Sequence, residues 1–147
     1  MTQAIRNKFV GSWRLISSTF QQEGKIIYPL GEAAQGRLMY DAQGNMAAQL
    51  MQPERERLSG KDETAVILQK TKAAFDGYTA YYGTFDVDTE RGVVIHHVHA
   101  SMLPNWVGRD LERFYDFSDN DRCLSLTTPP MGSQERPIVG TLVWERI

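Results

Sequence analysis

The chain has 147 residues, a formal net charge of −2 and one cysteine, Cys123. One domain over 1–147 is expected at this length, with enough chain to bury a core without covalent cross-links. Scattered charges leave no basic footprint for nucleic acid, a lone cysteine excludes an intrachain disulfide, and no apolar run reaches the ~18 residues of a membrane span.

The first residues, Met1 to Lys8, lack the apolar core of a secretion signal, which sets the expectation of a cytoplasmic protein. From there turn signals cut the chain into short pieces: Glu23-Gly24, Pro29-Leu30-Gly31, Asp41 to Asn45, Glu90-Arg91-Gly92, Asp119-Asn120-Asp121 and Pro129 to Gly132. The intervening segments are rich in β-branched and aromatic residues. They predict strands near 10–20, 25–28, 36–41, 45–51, 78–87, 92–102, 109–117, 122–128 and 136–146. This spacing points to an all-β sandwich or barrel.

One segment departs from the pattern. From Asp62 to Phe75 there is no glycine or proline, and Ile67, Leu68, Thr71, Ala74 and Phe75 recur on one helical face. Ser59 with Asp62 resembles a capping box, and Gly77 is a natural stop. A helix over about 62–75 is therefore expected. Set in an antiparallel meander, it is expected to lie across an open end of the barrel with its apolar face in the cavity wall.

The motifs sharpen the class. Gly11-Ser12-Trp13 enters the first strand, and Arg146 stands in the terminal Val143-Trp144-Glu145-Arg146-Ile147. This pair resembles the signature of lipocalin and wider calycin barrels, in which a cation stacks on a tryptophan at the narrow end. Further motifs are Tyr28-Pro29-Leu30-Gly31, Gly36 to Tyr40, Gly44 to Leu50, Ala74 to Tyr78, His96-His97-Val98, Pro104 to Gly108, Arg113-Phe114 and Gly140 to Arg146. In this order they resemble the bacterial and fungal lipocalin-like domain family over nearly the whole chain. The resemblance implies a single antiparallel up-and-down barrel around an apolar cavity. It implies no particular reaction, although some members occur beside natural-product biosynthesis enzymes. Function has to be argued from the site.

All three histidines, His96, His97 and His99, fall on one predicted strand. Imidazole titrates near neutrality and is the commonest metal ligand. Alternation puts His97 and His99 on one face and His96 on the other, with Val94, Val98 and Met102. On the next strand Leu111, Arg113, Tyr115 and Phe117 share a face, opposite Phe114. Two interiors are open. A polar one holds His97, His99, Arg113 and Tyr115 as a catalytic or ligand-orienting set, with imidazole as acid or base, tyrosine as donor and arginine holding an oxyanion. An apolar one holds His96 as its one polar group, read as a satisfied core residue.

The candidate ligand-binding residues are Met39, Met46, Gln49, Tyr81, Tyr82, Asn105 and Trp106. Methionine adapts to irregular ligands. Tyr81 shares a face with Phe85, and one of Tyr81 and Tyr82 is expected to line the cavity. Trp106 in Pro104-Asn105-Trp106 is placed to stack at the mouth. His97 and His99 project side by side, but no third ligand stands at a metal-site spacing, so no metal and no cofactor are expected.

The first functional expectation is a barrel that binds a small hydrophobic or aromatic molecule, with no nucleic acid or membrane as partner and a homodimer left open. The alternative is a cofactor-independent isomerase, cyclase or dehydratase. It would act on a polyketide-like or other hydrophobic carbonyl compound, with a strand histidine as general acid or base.

Overall fold

The computed structural model describes residues 2–147. A short helix, α1 (Thr2–Phe9), leads into β1 (Gly11–Gln22), β2 (Lys25–Ile27), β3 (Gln35–Tyr40) and β4 (Asn45–Met51). Helix α2 (Thr64–Asp76) follows, then β5 (Tyr78–Asp88), β6 (Val93–Ser101), a 3-10 turn (Pro104–Trp106) and β7 (Asp110–Ser118). β8 (Cys123–Thr127), β9 (Met131–Gly132) and β10 (Pro137–Arg146) complete the chain.

Sequential strands pair antiparallel from β3 through β8, β8 pairs with β10, and β10 pairs with β1, which returns to β3. The long strands thus close into an eight-stranded up-and-down barrel, with β2 and β9 as short additions at its edge. Closure leaves no long strand unpaired, which removes the edges of an open sheet. The inward faces carry the core, including Trp13, Leu15, Leu38, Tyr40, Met46, Phe85, Val94, Leu124 and Trp144.

α1 seals one end. It is not among the elements expected from sequence, and eight residues are too few for a helix stable on its own. Phe9 holds it: fully buried, its ring meets Tyr40, Tyr115 and Phe117 edge-on with centroids 4.9–5.3 Å apart. Trp13 Nε1 donates to the Phe9 carbonyl at 2.9 Å. The Arg146 guanidinium lies 4.2 Å from the Trp13 ring centroid and donates to the carbonyls of Val10 and Lys8. The expected cation on tryptophan is present, and it also ties the last strand to the end of α1.

α2 forms where the periodicity places it, and the Gly77 N–H closes its last turn on Ala73. Two details differ. Ser59 and Asp62 form a turn ahead of the helix: Ser59 N–H donates to Asp62 Oδ2 at 3.2 Å, and the helix begins at Thr64 with no side-chain cap. Nor does the apolar face of α2 line the cavity. Leu68 is 65% exposed and Phe75 40%, and only Asp76, at the helix end, borders the cavity mouth.

Two bulges set which side chains face inward. Between β5 and β6 the register passes from Gly83↔Val98 to Tyr82↔Ala100, leaving His99 as the extra residue. Gly83 is required opposite it, because a Cβ there would sit 1.8 Å from the His97 carbonyl oxygen. In β1 the pairing with β10 skips Ile16, so that Ser18 turns inward and is buried while Ile16 is exposed.

Candidate functional site

Above the aromatic layer at the sealed end, the barrel encloses a cavity of about 290 Å³. Leu38, Ala48, Leu50, Leu126, Leu142 and Trp144 form much of its wall, with Phe20, Pro29, Leu30, Trp106 and Met131 also lining it. The polar groups on the wall are Ser18, Thr79, Tyr81, His96, Arg113 and Thr128, with Asp76 at the mouth.

His96 is the inward histidine. It is 1% exposed, with Nε2 2.7 Å from the Tyr40 hydroxyl and Nδ1 2.8 Å from that of Tyr81. Burial, reinforced by the nearby Arg113 charge, lowers its pKa from the usual value to about 3. A neutral imidazole donates from one nitrogen and accepts at the other. One tyrosine therefore donates to His96, and the other accepts and keeps a free O–H. Tyr40 is enclosed among Phe9, Phe85 and His96, with no other polar partner, whereas Tyr81 borders the cavity. An orphaned buried O–H is costly, so the chain runs from Tyr40 O–H to Nε2 and from Nδ1–H to the Tyr81 oxygen. The Tyr81 proton is left for the cavity. Burial raises the pKa of both tyrosines, so both stay protonated at neutral pH.

Two further groups mark the wall. Trp144 is buried, and its indole N–H has no hydrogen-bond partner, the one such buried side-chain atom among the described residues. Arg113 projects inward opposite Val94 and donates Nη1 to the Glu112 carbonyl at 2.8 Å.

The polar interior composed from sequence is corrected. Val94 pairs with Arg113 and His96 with Leu111, so Arg113, Tyr115 and Phe117 share the inner face with Val94 and His96. His97 and His99 point outward. His97 is held by Asp110 at 2.7 Å and Asp86 at 2.9 Å, and the hydrogen bond it donates to Asp110 is foremost in raising its pKa. His99 is the exposed bulge residue. Tyr115 lies inside but against Phe9 at the sealed end, away from the cavity wall.

Of the residues proposed to meet ligand, Tyr81 and Trp106 line the cavity, their rings edge-to-face at 5.6 Å. Met46 is buried inside without bordering the cavity. Met39, Gln49, Tyr82 and Asn105 are exposed, with Gln49 accepting from the Tyr78 hydroxyl outside the barrel. Sequence reasoning missed Tyr40, Trp144 and Ser18 and kept His96 only as a core residue. Its signal was a lone imidazole on an otherwise apolar strand face.

Among the described residues no helix is long and apolar enough to cross a membrane. Over 110 residues the chain is 30% identical to a protein of Aspergillus oryzae named 4'-hydroxy-3'-methoxypropiophenone carrier protein ppsC, a match covering 69% of this chain and 96% of that relative. The family model for the lipocalin-like domain matches residues 10–147. Barrel, sealed end and sequence agree, and the chain belongs to the lipocalin-like domain family.

Proposed function

We propose that this barrel carries a small aromatic molecule with an oxygen acceptor, held in the cavity and not converted there. The observation that carries this reading is a mainly apolar cavity with Trp144 in its wall, the indole N–H of which is buried and has no acceptor among the described residues. Leaving such a donor unpaired costs ~1–3 kcal/mol, and a carbonyl or ether oxygen in the cavity would offset that cost. The Tyr81 O–H is a second donor. A volume of about 290 Å³ is at the small end of ligand pockets and suits a one- or two-ring compound. The name of the Aspergillus relative makes aryl ketones the first class to try.

The isomerase or cyclase alternative needs a base inside the barrel. The one imidazole there is held neutral, with a pKa of about 3, and both its nitrogens are engaged by tyrosines. Asp76 at the mouth is paired with Lys72. The wall therefore favours binding over proton abstraction.

Titration with propiophenone tests the reading, since Trp106 and Trp144 both border the cavity and report through their fluorescence. Saturable quenching and unchanged ligand on recovery are expected. Ala48→Phe, which fills the cavity, should abolish binding. Trp144→Phe should weaken the ketone up to roughly tenfold, the worth of one hydrogen bond, and leave propylbenzene unaffected. A converted product, or no saturable binding by any aryl ketone, would overturn it.

A further inference from the structure

Arg113 is a cation on the inner wall of a largely apolar cavity, and nothing among the described residues neutralises it. Glu112, next in sequence, faces outward and is held by Arg91 in a two-point pair at 2.7 and 2.9 Å. Asp76, the carboxylate at the mouth, is paired with Lys72. Among the described residues Arg113 has no carboxylate within salt-bridge distance and no aromatic face beneath it; its side chain donates to a backbone carbonyl. Arginines 14, 91, 122 and 136, all on the surface, do have carboxylate partners. A guanidinium drawn partly out of water is unfavourable unless an anion and hydrogen bonds compensate it. Its charge reaches the rest of the polar wall, where it lowers the proton affinity of His96, Tyr40 and Tyr81.

We propose that Arg113 makes the cavity selective for a ligand that binds as an oxyanion, the phenolate or enolate of an acidic hydroxyl on an aryl ketone. This rests on the carrier reading above and adds the charge state of the cargo. The missing counter-charge comes with the ligand. The guanidinium offers a planar fork of N–H donors, and a charge-assisted bond in a water-poor site is stronger than its neutral counterpart. The Tyr81 O–H is on the same wall as a second donor.

The titratable and charged groups on the wall around Arg113 are His96 of β6, Tyr81 of β5 and Asp76 of α2, with Tyr40 of β3 behind His96. His96 takes up a proton only near pH 3, and both tyrosines remain protonated through neutrality. None of these three changes charge in the range where an acidic phenol titrates. The pH dependence of binding is then that of the ligand. Its bound pKa lies below its free value, so affinity climbs as pH rises toward the free pKa and flattens above it.

The experiment compares para-hydroxyacetophenone with its methyl ether, para-methoxyacetophenone, by fluorescence titration and difference absorption. In the native protein the hydroxy compound should bind at least about tenfold tighter than the ether, the worth of a charge-assisted bond. It should show phenolate absorption at a pH where the free compound is the phenol. The ether should bind with no pH dependence across that range. Arg113→Gln should bring the hydroxy compound down to the level of the ether and remove the phenolate band. The two native-protein measurements decide the matter even if that variant does not fold. An ether that binds as tightly as the hydroxy compound, or a bound hydroxy compound without the phenolate band, overturns the oxyanion proposal and leaves the carrier reading standing. If neither compound binds while the protein is folded, both readings fall.

Discussion

His96 and His97 are adjacent, and their environments drive them in opposite directions. His96 is enclosed, and burial lowers its pKa to about 3. His97 lies outside between two carboxylates, and the hydrogen bonds it donates, to Asp110 first and then to Asp86, raise its pKa. Histidine NMR should therefore show one ring with a midpoint above the ordinary ~6.5 and another that does not titrate above pH 4. An inward-bonded His96 that titrated near neutrality would contradict the Tyr40–His96–Tyr81 chain. The same pair shows what alternation in sequence can and cannot say. Period two separates His96 from its neighbours on the strand. It does not say which face of β6 matches which face of β7, because that depends on the pairing register. The bulge at His99 lies beyond sequence periodicity altogether.

The two helices invert the expectation placed on them. α2 has the periodic pattern, yet Leu68 and Phe75 remain exposed. α1 carries no such signal, yet its last residue anchors the sealed end. Phe9→Ala should cost about 3–5 kcal/mol in denaturant unfolding, the range for a buried aromatic truncated among well-packed neighbours. Leu68→Gln should change stability by no more than ~0.5 kcal/mol and leave ligand affinity unaltered. A large effect of Leu68→Gln would mean that α2 closes on the cavity. Helical periodicity reports only that a segment has two faces. What covers the apolar one is decided by elements distant in sequence: α1 plugs the end where Phe9, Trp13 and Arg146 meet, while α2 lies by the mouth and only its Asp76 borders the cavity.

For the whole molecule, His96 links protonation to folding. The unfolded histidine has the ordinary pKa of ~6.5, and the native one lies at about 3. Between those values the unfolded chain binds a proton that the native barrel does not, so stability falls as pH falls through that window. The loss from this one residue should reach about 2 kcal/mol at pH 5. His97 works with the opposite sign: its contribution is present at low pH and fades as pH rises through its raised value. Urea unfolding from pH 7 to 4 should show an acid slope that flattens in His96→Gln relative to the native protein. An unchanged slope would place the acid sensitivity elsewhere.

The resemblance to lipocalin barrels supplied the tryptophan and arginine that meet at the narrow end; the residue pattern alone determined a meander of antiparallel strands with one helix in it and a strand holding all the imidazoles. These follow from local propensity and from spacings within one segment. Closure through β1 and β10, the plug made by α1, and the choice of His96, Tyr81, Arg113 and Trp144 as cavity groups were decided only by the tertiary structure. The reason is physical. A side chain's exposure depends on strand register and on bulges, and both are set by partners far apart in the chain, Trp13 and Arg146 among them.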